Sequence, residues 1–269
     1  METKTAVWLD SKFYKVGERY IASVTTKLGI ESKPFLYRYY GELGFEQARK
    51  KLKEAGDRGS RIHYAFFVYN EGGCVIYNPS TKANYSKEEI DALVVKYSGL
   101  IAILTEQDEM NDLWKLQKLM GVLKPKILQS EHTVFSTQKD IAGTLDLAIE
   151  AAFGEYDVSG SKPLVLDNGI YICDLKTGNV ISESTWAQMA AYTEAYEEMY
   201  GVKVKGALCL HTSAQTRKGI EGLAVIKKTR EELKPHFEIY QHLSAVWNAR
   251  NPNIAPKAFE FPTLITRRQ

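Results

Sequence analysis

Cysteine is scarce in this chain, and the three cysteines that it has show no metal-binding or disulfide pattern. Cys74, Cys173 and Cys209 are far apart and odd in number, and none belongs to a CxxC pair. These spacings argue against a disulfide framework and against a zinc or iron–sulfur site. Long apolar runs are also missing, since the stretch 92–104 is short and is broken by Lys96. With no signal-peptide pattern at the start, the sequence predicts a soluble cytoplasmic protein with no membrane partner.

A strong charge imbalance is also absent. The net charge of +2 does not by itself predict a nucleic-acid partner, so any basic surface must be local. At 269 residues, without a repeat, a low-complexity block or a linker, the chain suits one elaborated α/β domain. We therefore expect a single domain over 1–269. Residues 1–122 should be mainly helical, and residues 123–269 should hold a β-meander core and a C-terminal helix.

Hydrophobic periodicity predicts a central mixed β-sheet flanked by helices. In the N-terminal region we expect a helix that ends at Gly56 and a second one capped by Ser60. The expected elements there are helix 35–55, a helix from 60 onward, strand 74–77 and two helices within 86–121. Beyond it we expect strands 127–135, 141–151, 164–176, 202–211 and 221–227, and helices 184–200 and 229–248. The turn-rich segment 156–169 predicts a long hairpin between the second and third of these strands.

Two acids and a lysine form the most informative pattern. Side chains alternate along a strand, so Asp174 and Lys176 share one face while Leu175 points to the core. The preceding hairpin can bring Asp146 from the neighbouring antiparallel strand beside Asp174. Two carboxylates on one face suit Mg²⁺ or Mn²⁺, and Lys176 beside them can stabilise a phosphate. An isolated Asp-x-Lys is more often a cross-strand ion pair at a solvated edge.

The residues after this strand favour the functional alternative. Thr177 and Gly178 end the strand, which places the pattern where ligands often bind in α/β sheets. Gln188 and Tyr192 are spaced i, i+4 and share a helix face that can look back over the strand end. An ordinary amphipathic helix would show the same spacing, so this pair is weak when taken alone.

Together these motifs resemble the RecB-type exonuclease branch of the PD-(D/E)XK nuclease superfamily, which implies a restriction-endonuclease-like core with an N-terminal helical elaboration. The matching elements are Gly143-x-x-Asp146, Asp174-x-Lys176-Thr177-Gly178, Gln188-x-x-x-Tyr192, Gly59-x-x-x-His63 and the stretch Ser23-Val24-Thr25-Thr26. The resemblance covers about residues 20–200. The gap from Asp146 to Asp174 is longer than usual for the family, which we assign to a hairpin insertion. The cysteine cluster of the iron–sulfur members is absent, so the resemblance is to a form without that cluster.

The resemblance implies a site for one or two Mg²⁺ or Mn²⁺ ions. The implied metal ligands are Asp146, Asp174, the Leu175 carbonyl and His63, with Glu131 binding a second metal or supporting a water. Lys176 would be the catalytic lysine, with Gln188 and Tyr192 orienting it or contacting the strand. The residues implied to bind nucleic acid are Arg58, Ser60, Arg61, Thr177 and Tyr192.

Some histidines and acids have simpler explanations. Without the family context, His63 would be a partly buried helix histidine, and Glu131 is equally consistent with the site and with the surface. His132, His211, His236 and His242 lack partner spacing and are expected to be structural or surface groups.

Basic residues are concentrated between Lys33 and Ile62, with three tyrosines interleaved at 37, 39 and 40. Such a segment can contact phosphates and stack unpaired bases, although tyrosines on a solvated helix more often pack inward. A second cluster, Arg217-Lys218 and Lys227-Lys228, suits either a hairpin edge protected by lysine or part of a substrate channel.

The leading hypothesis is a metal-dependent deoxyribonuclease, most simply an exonuclease that acts in recombination, repair or phage DNA processing. Its partners would be DNA, as a single strand or a duplex end, and recombination or replication proteins. Two alternatives stay open. One is a structure-specific endonuclease or resolvase, and the other is a catalytically silent DNA-binding subunit of the same fold.

Overall fold

The protein is described by a computed structural model that covers residues 4–8, 11–31, 33–158 and 162–252, together with residues 254 and 256. The N-terminal half of the chain opens with a three-stranded antiparallel meander and continues mainly as helices. Its elements are β1 (Lys4–Trp8), β2 (Ser11–Val16), β3 (Arg19–Ala22), α1 (Val24–Leu28), α2 (Pro34–Leu43), α3 (Phe45–Asn70), β4 (Cys74–Tyr77), α4 (Lys87–Lys96), β5 (Ile101–Leu104) and α5 (Gln107–Leu123).

The C-terminal half of the chain supplies the central sheet and two long helices. Its elements are β6 (Lys126–Ser136), β7 (Ile141–Ala151), β8 (Gly154–Tyr156), β9 (Leu164–Leu166), β10 (Gly169–Lys176), α6 (Glu183–Tyr200), β11 (Val204–His211), β12 (Ala224–Thr229) and α7 (Arg230–Arg250). The sheet has the order β12-β11-β10-β7-β6. Within it the pair β10–β11 is parallel and the other pairs are antiparallel, and α6 provides the crossover that a parallel pair requires.

Helices cover both faces of this sheet. One face packs against α3 and α5 through a large apolar cluster, and the other packs against α1, α6 and α7. The predicted class, a mixed α/β sheet flanked by helices, is confirmed. Among the described residues, no helix combines the length and the apolar character needed to cross a bilayer.

The prediction that a helix ends at Gly56 is wrong, because α3 runs without a break from Phe45 to Asn70. Gly56 does not adopt the left-handed conformation that ends helices at glycine. Ser60, expected as an N-cap, instead donates its hydroxyl to the Gly56 carbonyl at 3.1 Å. The second half of α3 buries Ile62 and Phe66 in the core, and this burial outweighs the roughly 1 kcal/mol that a helical glycine costs.

Several strands differ from the prediction in existence or in bounds. The meander β1–β3 is not predicted, although Gly17, with φ 59°, marks its second turn. Strand β5 lies in a region predicted to be helical, yet it pairs in parallel with β4. The expected strand 164–176 is split into β9 and β10 at the turn before Gly169, whose φ is 144°. The predicted hairpin exists as the pair β8–β9, but residues 159–161 within it lie outside the described residues.

Candidate functional site

The predicted carboxylates meet at the C-terminal end of β10. Asp174 is buried with 3% of its surface exposed, and its Oδ2 lies 2.5 Å from the Lys176 Nζ on the same strand face. Leu175 points to the opposite face and packs in the core together with Cys173. The alternation predicted from the sequence therefore places an acid and a lysine side by side.

Asp146 reaches the same point from the neighbouring strand. Strands β7 and β10 are antiparallel, and the Leu175 N–H donates to Asp146 Oδ2 at 2.7 Å. The hairpin before β10 thus folds as expected, and the backbone of Leu175 lies within the site. Carboxylates from two adjacent strands are thereby brought to the end of β10.

His63 and Glu131 complete a cluster of possible metal ligands. The Nδ1 atom of His63, on α3, lies 3.4 Å from Asp146 Oδ1 and 3.7 Å from Glu131 Oε1. One ligand atom from each of the three residues lies within 4.8 Å of the other two. They line a cleft of about 670 Å³, together with Gly56, Gly59 and other residues of α3 and with Thr177. Imidazole nitrogen and carboxylate oxygen are suitable ligands for Mn²⁺ and, through the oxygens, for Mg²⁺.

Glu131 has an unusual backbone for a strand residue. It lies within β6, where Ser130 pairs with Leu147 of β7 and His132 pairs with Leu145. Glu131 therefore lies opposite Asp146. Its φ is 45°, in the left-handed region, which costs a residue with a Cβ about 1–2 kcal/mol. Strained backbone of this kind is concentrated at functional sites.

Opposite charges within the cluster set its ionisation. Burial lowers the pKa of His63, but the charges and hydrogen bonds of Asp146 and Glu131 outweigh it and raise the pKa to about 10. Burial raises the pKa of Asp174 to about 6, with Lys176 opposing this shift and Asp146 adding to it. For Lys176, burial is outweighed by the charges of Asp174 and Asp146, so its pKa is raised. Lys176 is therefore a cation at neutral pH.

Gln188 and Tyr192 face this strand end from α6. Tyr192 is buried, with its hydroxyl hydrogen-bonded to Gln188 one turn earlier on the same helix. The expected role of this pair in orienting Lys176 stays a prediction. Burial raises the pKa of Tyr192 well above its ordinary value, which keeps the hydroxyl protonated. A Cβ on Gly143 would lie 2.6 Å from the Tyr192 hydroxyl oxygen, so the glycine makes room for the ring.

The arginines expected to bind nucleic acid are paired with acids of α5. Arg58 contacts Asp108 and Asp112 at 2.5 Å each, and Arg61 contacts the buried Glu109 at 2.6 Å. Arg58 also donates to the Thr177 carbonyl at 3.4 Å. These ion pairs fix α3, which carries His63, against α5 and the end of β10.

Two further predicted contact residues, Ser60 and Thr177, line the cleft itself. The site thus has hydroxyl groups near its carboxylates, whereas its guanidinium groups are engaged in ion pairs.

Residues at the end of β11 and just after it hold the loop that follows Lys176, and the sequence did not point to this role. His211 Nε2 lies 2.7 Å from the Gly178 carbonyl, and Ser213 donates to the Thr177 carbonyl at 2.8 Å. The Thr212 N–H donates to the Lys176 carbonyl at 3.0 Å. The only sequence signal was the position of these residues at the end of a strand. Because β10 and β11 pair in parallel, their C-terminal ends lie side by side, which brings these residues to the loop after Lys176.

The two basic segments predicted from the sequence, 33–62 and the lysines at 227 and 228, differ in how they agree with the structure. Tyr37 is 70% exposed, so the expectation that the tyrosines pack inward is wrong for this residue. Lys227 and Lys228 lie on β12, an edge strand of the central sheet, and Lys227 donates to the Val165 carbonyl at 2.7 Å. This arrangement agrees with the lysine-protected edge.

Comparisons with models of known protein families and with curated proteins give no match. Comparison with solved structures finds similarity to the crystal structure of a "Putative exonuclease" from Eubacterium rectale. The TM-score is 0.39 at 9% identity, over 79% of this chain and 76% of that one. At this distance the similarity carries no inference about activity, so the functional argument depends on the geometry of the site.

Proposed function

We propose that this chain is a divalent-metal-dependent deoxyribonuclease that hydrolyses phosphodiester bonds, acting as an exonuclease. The observation that carries the proposal is the convergence of His63, Glu131, Asp146, Asp174 and Lys176 at one end of the sheet. These groups come from one helix and three strands, and His63, Glu131 and Asp146 border an open cleft. A structural ion-pair network does not need three carboxylates around one histidine and one lysine.

The residues present fit a hard divalent cation. Asp146, Glu131 and His63 offer three ligand atoms within 4.8 Å of one another, and Asp174 adds a buried carboxylate next to Asp146. Ligation by the His63 ring nitrogen would displace the proton that His63 otherwise carries, and carboxylate oxygens are ligands that suit a hard cation. Bound there, the metal would lower the pKa of a water molecule and neutralise charge on the phosphate.

The protein's own groups then have distinct tasks. Lys176 is held as a cation by Asp174 at 2.5 Å, where it can stabilise negative charge that develops on the scissile phosphate. The buried Tyr192 and its partner Gln188 support the strand end from α6. The ion pairs of Arg58 hold α3 in place, so that His63 keeps its position relative to Asp146.

The test is a nuclease assay on labelled linear DNA with Mg²⁺ or Mn²⁺. Asp146→Asn and Lys176→Met should each reduce the rate by roughly a hundredfold or more, since each removes a group that acts on the transition state. Asp167→Asn is the matched control, because Asp167 is exposed and lies just before the start of β10. Circular dichroism should show all variants folded. Equal cutting by the wild type and both site variants would refute the proposal.

Exonuclease action has its own test, because it requires a free DNA end. Linear single-stranded DNA should be digested, whereas a circle of the same sequence should persist under the same conditions. Digestion of the circle at the linear rate would instead favour an endonuclease on the same site.

A further inference from the structure

The first half of α3 projects from the body of the protein. Between Phe45 and Asp57, Ala48 is buried and the other residues are exposed. The second half, from Ile62 onward, packs in the core and carries His63 to the acids. One continuous helix therefore connects the candidate site with an exposed surface.

A single face of α3 leads to the site. Positions 45, 49, 52, 56, 60, 63 and 67 follow a spacing of three and four residues, so they lie along one side of the helix. The last four of them line the cleft. At about 1.5 Å per residue, the distance from His63 back to Phe45 is about 27 Å. We call this face the α3 track, defined by Phe45, Arg49, Leu52, Gly56, Ser60 and His63.

The charge of the α3 track is positive. Arg49 lies on it and is exposed, while Lys53 lies at its border and pairs with Asp57 at 2.5 Å. The acids of this half, Glu46, Glu54 and Asp57, fall outside the spacing of the track. Such a face can contact the phosphates of a polynucleotide backbone.

Exposed aromatic rings stand at the far end of the track. Phe45 is 61% exposed and stacks on Tyr40 of α2 with ring centroids 5.5 Å apart. Phe35 and Tyr37, also on α2, are 66% and 70% exposed. Exposing large aromatic rings to water is unfavourable in free energy. Exposed aromatic rings near a cation are a usual platform on which unpaired bases stack.

Glycine at position 56 leaves space at the entrance to the site. A Cβ built on Gly56 meets no protein atom within 4 Å, so packing within the protein does not require a glycine here. Its presence inside a helix costs about 1 kcal/mol relative to alanine. The space above it belongs to the cleft.

We propose that the α3 track binds a single DNA strand with unpaired bases and guides it to the carboxylates. This inference rests on the proposed function and specifies its substrate. Bases stack on the Phe45–Tyr40 pair, the backbone passes Arg49, and the strand enters the cleft over Gly56. A duplex hides the faces of its bases, so it cannot use the aromatic end of the track.

The test measures binding in EDTA, in the absence of cutting. A fluorescein-labelled fifteen-nucleotide oligothymidylate is titrated with protein, and its anisotropy is followed. Phe45→Ala and Arg49→Ala should each weaken binding by at least about fivefold, in line with the loss of one stacking or phosphate contact. Phe153→Ala and Arg250→Ala, at exposed positions away from the track, should bind as the wild type does.

A second measurement separates this inference from the proposed function. Hydrolysis of bis(p-nitrophenyl) phosphate with Mn²⁺ should be lost in Asp146→Asn and unchanged in Phe45→Ala, because this small diester does not extend from the cleft to the far end of the track, about 27 Å away. No hydrolysis by the wild type would count against the proposed function, while the binding data would still report on the track. Wild-type affinity in both track variants, or a duplex bound as tightly as the single strand, would overturn the inference.

Discussion

The contact between Gly143 and Tyr192 supports a quantitative prediction. Gly143 lies on β7, three residues before Asp146, and Tyr192 closes over it from α6. A Cβ at this position would lie 2.6 Å from the Tyr192 hydroxyl oxygen and 2.8 Å from the ring carbon Cζ. Because the ring is buried with 3% exposed, it cannot turn into solvent without moving α6.

The expected cost of Gly143→Ala is that of overpacking a core, about 2 kcal/mol within a range of about 1–3. For a chain of this size, that loss corresponds to a fall in Tm of roughly 4–8 °C. Tyr192→Leu shortens the side chain and removes the atoms that clash. In a protein that already carries Tyr192→Leu, the same glycine substitution should therefore cost about 0.5 kcal/mol or less, which is a coupling energy of at least about 1 kcal/mol.

The assay is urea unfolding of the wild type, both single variants and the double variant, followed by circular dichroism. Gly41→Ala serves as control, because Gly41 lies in helix α2 and a Cβ there meets nothing within 4 Å. It should be neutral or slightly stabilising. If Gly143→Ala costs the same in both backgrounds, or nothing in either, the steric explanation for this glycine is refuted.

Two further predictions concern stability elsewhere in the fold. Burial acts to raise the pKa of Glu194, but hydrogen bonds from Lys139 and Arg230 outweigh it, so the pKa is lowered. Glu194→Gln should therefore be less stable than the wild type at pH 7, and the difference should shrink as the pH falls below about 4.5, where the unfolded-state carboxyl takes up a proton. Urea unfolding at several pH values measures this difference, and a gap that does not change with pH would contradict the assignment. Thr229 caps α7 with a capping box, so Thr229→Ala should cost about 1 kcal/mol. Ser182 at the start of α6 makes no capping bond to the backbone, so thermal unfolding should show a clearly smaller loss for Ser182→Ala.

Local patterns account for the features that the sequence predicts well. The alternation around Asp174 and Lys176 has a period of two residues, and that period determines which side chains share a face. The turn-rich segment between Ala151 and Gly169 predicts a hairpin, and that hairpin places β7 next to β10. The position of Asp146 beside Asp174 therefore follows from information within a short length of chain.

Long-range contacts account for the features that it does not predict. The acids of α5 suit the first turn of a helix, and nothing near them indicates that Arg58 lies against Asp108. The continuity of α3 depends on Ile62 and Phe66 being buried, which outweighs the local preference of Gly56. His211 holds the Gly178 carbonyl only because β11 lies parallel to β10.

At Glu131, the backbone conformation that is best for the stability of the fold and the side chain that the proposed metal site needs call for different residues. Glycine adopts a φ of 45° without a steric penalty, so Glu131→Gly should stabilise the fold relative to Glu131→Ala by about 1 kcal/mol. Both substitutions remove the carboxylate from the cleft. Selection of random variants for heat resistance alone should therefore enrich glycine at position 131, and the enriched proteins should be more stable but should lack one carboxylate of the proposed metal site.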